Sequence, residues 1–156
     1  WQRKAIEEQM RERAAGIGRT LAVAATEAML TYDFTKLRQY VDEIKKSPEV
    51  AYLIIMDTTG RIMVHSDHLQ EGKVLYNPPD IRAARAERLV EQRYTGEKSQ
   101  PLYEIAVPID FASQKWGVAR VGFSLGALNR ELAQAARNIT LLITGAVLST
   151  IMVVVI

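Results

Sequence analysis

Residues 51–72 read AYLIIMDTTGRIMVHSDHLQEG, and this stretch decides the fold. Ala51–Met56 is an apolar run rich in Ile, Leu and Tyr, long enough for one strand. Asp57-Thr58-Thr59-Gly60 supplies turn chemistry, with Gly60 free to take the positive φ that such turns need. Arg61–Ser66 is the return strand and leads into His65-Ser66-Asp67. A two-stranded hairpin is marginal by itself in water, so this one must begin a larger sheet.

The chain has 156 residues, enough for one domain with its own core plus extensions. Its net charge of +2 gives no electrostatic footprint for nucleic acid. With no cysteine it has no disulfide, thiolate metal site or cysteine nucleophile.

Upstream of the hairpin, residues 2–31 lack proline and are rich in helix formers. Met10, Ala14, Ile17, Leu21, Ala24 and Ala28 recur at spacings of 4, 3, 4, 3 and 4, a 3.5-residue seam. Such a helix, about 45 Å long, outreaches one small sheet. It is expected to pack on its own domain and to pair with its copy in a homodimer. Thr35–Lys46 reads as a second helix with Leu37, Val41 and Ile44 on one side, stopped by Ser47-Pro48.

Downstream, Gly72–Pro79 is a loop holding Tyr76. Asp80 reads as the N-cap of a basic helix over Ile81–Gln92, with Arg82, Arg85 and Arg88 as a solvated face. Leu102–Ile109 and Lys115–Ser124 alternate as strands. Tyr103, Ile105, Val107 and Ile109 share one face of the first, and Leu102, Glu104 and Ala106 the other. In the second, Ala119, Val121 and Phe123 oppose Val118, Arg120 and Gly122.

From Leu125 the period becomes helical, through Leu128, Leu132, Ala135, Ile139, Leu142 and Ala146. Residues 139–156 form eighteen positions without a charge, near the minimum for a helix crossing about 30 Å of hydrocarbon. The chain therefore reads as a piece of a longer membrane protein that ends inside a transmembrane helix. A rigid helix would then join the last strand to the membrane and carry strain from the sheet.

Two blocks carry a family resemblance: VAYLIIMDTTGRIMVHSDHLQEGKVL (Val50–Leu75) and YEIAVPIDFASQKWGVARVGFSLGAL (Tyr103–Leu128). The chain resembles the single Cache domains, the PAS-like extracytoplasmic sensor modules of bacterial histidine kinases and chemoreceptors. The resemblance implies an α+β fold: a central antiparallel sheet, a long N-terminal helix on one face, a ligand pocket on the other, and a C-terminal helix running into a transmembrane span. The expected parts are a dimerisation helix at 1–34, the sensor domain at 35–124, an exit helix at 125–138 and a truncated transmembrane helix at 139–156.

The citrate and C4-dicarboxylate sensor kinases of that family hold carboxylates with an Arg, a His three residues later, and a basic residue on the strand before a Pro turn. His65 matches the histidine, but Ile62 stands where the Arg would be, with Arg61 one place off. Glu104, four residues before Pro108, stands where the second basic group would be. A carboxylate facing a carboxylate ligand is repulsive, so a simple dicarboxylate is disfavoured. An amine, a hydroxylated compound or a proton suits Glu104 and His65 better. His65, Ser66, Met63, Tyr76, Glu104 and Ala106 are the ligand-binding candidates. His65 also titrates near physiological pH. His65, Asp67 and His68 supply too few ligands for a convincing metal site. No catalytic set and no cofactor motif stands out.

The expected role is ligand sensing for a dimeric transmembrane receptor, with a sensor histidine kinase favoured. The alternatives are a methyl-accepting chemotaxis receptor, a cyclic-nucleotide signalling protein, or a membrane-anchored interaction domain without a small-molecule ligand.

Overall fold

A computed structural model describes the backbone of residues 2–155 and the side chains of residues 4–127, 129, 130, 133, 134 and 136–145. Helix α1 (Gln2–Thr31) and helix α2 (Thr35–Lys45) precede the hairpin β1 (Val50–Asp57) and β2 (Ile62–His65). Helix α3 (Pro78–Ala84), strands β3 (Val90–Thr95), β4 (Pro101–Phe111) and β5 (Gln114–Ser124), and helix α4 (Leu125–Val155) complete the chain. The five strands form one sheet in the order β2-β1-β5-β4-β3, antiparallel throughout.

The hairpin closes as its sequence requires. Asp57 Oδ1 accepts from the backbone N–H of Thr59 at 2.8 Å and of Arg61 at 3.1 Å, and Gly60 takes φ +85°. The alternation in β4 and β5 then sorts the sheet into two faces. Leu53, Ile55, Val64, Tyr103, Ile105, Val107, Ile109, Ala119, Val121 and Phe123 join the core formed with α1 and α2. Ile54, Met56, Ile62, Ala106 and Val118 form a smaller cluster on the other face, beneath Ala83 of α3.

On α1 the buried stripe is turned slightly from the seam in the sequence. Met10, Ala14, Leu21 and Ala28 are buried as expected, with Ala25 and Gly18 beside them rather than Ala24 and Ile17, which are half-buried. The turn follows from close packing: a Cβ at Gly18 would lie 2.8 Å from Val107 Cγ2. Glycine there lets the helix settle onto β4.

One element departs from expectation. The helix expected over Ile81–Gln92 ends at Ala84, and Val90–Gln92 belongs to β3. Arg, Ala, Glu and Leu favour a helix locally, but tertiary pairing overrides that weak preference. β3 supplies β4 with a partner through six register pairs, from Val90↔Ala106 to Thr95↔Pro101. The cap also moves. Asn77 is the N-cap of α3, Pro78 and Pro79 follow, and Asp80 sits at the third helical position with its carboxylate accepting the Asn77 N–H at 3.1 Å.

β5 passes directly into α4. Among the described residues no helix is long and apolar enough to cross a membrane. From residue 146 onward the apolar run 139–156 lies outside the residues whose side chains are described, as do Leu128, Leu132 and Ala135 of the helical seam.

Candidate functional site

The face of the sheet away from α1 carries a buried pair of opposite charges. Glu104 on β4 and Arg120 on β5 have 0% and 1% of their surface exposed. Antiparallel register sets Glu104 opposite Gly122 and Ala106 opposite Arg120, so the two side chains are diagonal neighbours on one face. Arg120 donates to Glu104 Oε2 from Nη2 at 2.7 Å and from Nε at 3.0 Å. Its Nη1 donates to Asp80 Oδ1 at 2.7 Å. That bond ties the first turn of α3 to the middle of the sheet.

Three more groups complete the network. Gln92, directly opposite Glu104 on β3, donates from Nε2 to Glu104 Oε1 at 2.5 Å and to the Pro79 carbonyl at 3.0 Å. The Tyr52 hydroxyl donates to Glu104 Oε2, and the single hydroxyl hydrogen of Tyr94 is shared between Glu104 Oε2, 3.2 Å away, and the Tyr52 hydroxyl oxygen. Tyr52 can lie against β5 because residue 122 is glycine, where a Cβ would run into its ring.

The protonation states follow from burial and neighbouring charge. Burial, reinforced by the Glu104 charge, pushes the Tyr52 hydroxyl far above its ordinary value and that of Tyr94 up to about 12. Both are therefore neutral hydrogen-bonding groups. Burial works against the Arg120 charge, but Glu104 outweighs it and holds the guanidinium above its ordinary value.

Above this network lies a cavity of about 610 Å³. Tyr52, Tyr94, Arg120 and Asp80 line it from the sheet and α3, and Ile54, Ile62, Leu75 and Leu102 are its apolar wall. The end of β2 contributes His65, the loop after it Asp67 and Gln70, and the β3–β4 turn Glu97 and Gln100. A larger open groove of about 880 Å³ follows the outside of α3 past Arg82, Arg85 and Arg88. Those arginines are exposed, so the smaller cavity, floored by buried polar groups, is the candidate site.

Of the six ligand-binding candidates, His65 lines the cavity. Its Nδ1 accepts the Asp67 N–H at 2.7 Å, which leaves Nε2 to carry the ring hydrogen. Burial, opposed by Asp67 and assisted by Arg120, holds its pKa below the ordinary histidine value. Glu104 lies beneath the floor, with both oxygens already bonded. Ala106 is buried under α3. Ser66 Oγ accepts the Leu53 N–H at 3.1 Å and extends the hairpin. Met63 packs with the core on the α1 side, and Tyr76 is 73% exposed.

Sequence reasoning passes over Arg120, Tyr94, Asp80, Gln92 and Tyr52 as site residues. A signal for Arg120 was present. The alternation of β5 aligns it with Val118 and Gly122, and a tight turn near residues 112–113 brings it diagonal to Glu104. An isolated Arg in an apolar strand needs a buried partner. Gln92 is hidden by the helical reading of residues 81–92, and Tyr94 by lying just beyond it, in residues that read as a turn but belong to β3.

A family model described as Single cache domain 3 matches residues 1–137, and the chain belongs to that family. The E. coli DcuS sensor domain superimposes with a TM-score of 0.66 at 14% identity, over 83% of this chain and 98% of that one. The sensor domain of the V. cholerae histidine kinase DctB gives 0.62 at 17% identity, over 81% of this chain. The ligand-binding domain of the P. aeruginosa chemoreceptor PctC in complex with GABA gives 0.53 at 16% identity, over 82% of this chain. This chain spans about half the length of the DctB and PctC domains, 54% and 57%. No curated protein sequence matches it. At these identities the likeness establishes the shared fold.

Proposed function

We propose that this chain is the extracytoplasmic ligand-sensing domain of a dimeric transmembrane receptor, with a sensor histidine kinase as its output. One observation carries the reading: the cavity is wired to the start of α4. Gln100 lines the cavity and donates from Nε2 to Ser124 Oγ at 2.6 Å. The same oxygen accepts the Ala127 N–H at 3.2 Å and so caps α4. Arg120, in the cavity floor, lies four residues before that cap on the same strand. A ligand that binds two arrangements of this floor unequally would shift the helix between two positions. In this reading residues 125–138 are the exit helix and the uncharged run 139–156 enters the membrane. Dimerisation through α1 and an extracytoplasmic position belong to the same proposal. They are supported by membership of a sensor family and by the long helix that the sheet covers on one side only.

The test is a thermal-shift screen of residues 1–137 against amines, amino acids, carboxylates and buffers of stepped pH. One ligand class is expected to raise the melting temperature, with the rise lost in His65→Ala and Tyr94→Phe. A flat screen, with both variants melting like the parent, would defeat the proposal.

A further inference from the structure

The charges facing the cavity are unbalanced. Among the described residues of its lining, Asp67 and Glu97 bring two carboxylates without a cationic partner, while Asp80 and Arg120, the one guanidinium there, are paired with each other. Arg120 is already committed, to Glu104 at 2.7 and 3.0 Å and to Asp80 at 2.7 Å, with 1% of its surface exposed. His65 adds no positive charge at neutral pH, because burial depresses its protonation. The tyrosines are neutral. A ligand carboxylate entering this space would meet like charge from Asp67 and Glu97 and find no free cation among the described residues.

We propose that the cavity takes a small alkylammonium compound, a primary amine without a carboxylate. The inference rests on the ligand-sensing reading of the same cavity. A primary ammonium has three donors and no acceptor, and the cavity offers acceptors at Asp67, Glu97 and the Tyr94 hydroxyl. Glu97 makes no side-chain bond among the described residues, so its carboxylate is available. The carbon chain of the ligand would lie on Ile54, Ile62, Leu75 and Leu102. Two tyrosines fall short of the aromatic cage that a quaternary ammonium prefers, which favours the primary amine. The volume, about 610 Å³, suits a small organic molecule.

Isothermal titration of the 156-residue chain with butylamine, putrescine, choline, γ-aminobutyrate and succinate tests this. Butylamine or putrescine is expected to bind at least tenfold tighter than γ-aminobutyrate, choline or succinate. Glu97→Gln and Asp67→Asn should each weaken the amine about tenfold, and Arg82→Gln on the outer groove should leave it unchanged. Both acidic side chains are exposed, so the variants should fold, and circular dichroism checks that they do. Tighter binding of succinate, γ-aminobutyrate or choline overturns the primary-amine assignment and leaves the sensing role standing. Amine binding that ignores both acidic substitutions also overturns it. Failure of all five compounds to bind overturns the assignment, and the broader screen over other ligand classes decides separately whether the sensing role falls with it.

Discussion

Arg120 on β5 and Glu104 on β4 form an ion pair at 2.7 Å with both side chains essentially out of solvent. Desolvating two charges is costly, and the cost is offset only where the remaining hydrogen-bonding capacity is also used. Here Gln92, Tyr52 and Tyr94 take up the rest of Glu104, and Asp80 takes Arg120 Nη1. Glu104 is therefore an internal counter-ion that holds Arg120 in the cavity floor. This changes what its place in the sequence means: the carboxylate stands where the dicarboxylate sensors have a basic residue for their ligand, and it serves the protein's own arginine.

Removing one member of this pair should cost far more than removing both. Arg120→Met leaves Glu104 buried without its cation and frees Asp80, and with it the first turn of α3, from the sheet. A loss of about 3–5 kcal/mol is expected, read by urea unfolding with unchanged m-value. The double variant Arg120→Met with Glu104→Gln should recover part of that loss. A single variant within about 0.5 kcal/mol of the parent would show that the network contributes little to stability.

The sheet was legible in the sequence because its alternation is clean. Tyr103, Ile105 and Val107 on one side and Glu104 and Ala106 on the other leave one register for the core face. The site is less legible because its polar groups come from five separate elements, β1, β3, β4, β5 and α3. Asp80 reads locally as an N-cap, Arg120 as a polar interruption of a strand, and Tyr52 as one position of the apolar run Ala51–Met56. Their shared purpose appears only when α3 is laid over β5. β3 was lost because its residues favour a helix, and pairing with β4 decides otherwise.

The two histidines should pull stability in opposite directions with pH. Burial, opposed by Asp67 and assisted by Arg120, lowers the folded-state pKa of His65. The unfolded chain therefore takes up this proton first, and stability is lost as pH falls through the ordinary value of about 6.5 toward the lower folded value. His68 is raised, chiefly by its hydrogen bond to Glu71 and further by Asp42. Its contribution is present below about 6.5 and fades as pH rises through the raised value. Melting temperature between pH 5 and 8 should fall less on acidification in His65→Asn than in the parent, and more in His68→Asn. Parallel curves for all three proteins would contradict both assignments.

Ser124 should behave as a helix cap with a second duty. Its hydroxyl accepts from the Ala127 N–H and from Gln100. Ser124→Ala removes both acceptor contacts and is expected to cost about 1 kcal/mol. Gln100→Ala should leave the cap intact and cost less. Hydrogen exchange at the start of α4 should quicken in Ser124→Ala, and equal exchange in variant and parent would argue against capping there.

The face of α1 turned from the sheet carries a second seam. Gly16, Thr20, Val23, Glu27 and Leu30 recur at 4, 3, 4 and 3, and all five are exposed. Val23 has 72% and Leu30 46% of its surface open to solvent, and no atom lies within 4 Å of a Cβ built on Gly16. Small residues at one end and aliphatic ones at the other are what a helix needs to approach its copy along a 3.5-residue repeat. The chain has no cysteine, so a single introduced thiol reports on one position alone. Val23→Cys should form a disulfide-linked dimer under mild oxidation, whereas Thr58→Cys, in the exposed β1–β2 turn, should not. Equal cross-linking of the two, together with a monomer mass by light scattering, would remove α1 as the dimer seam and leave the cavity argument untouched.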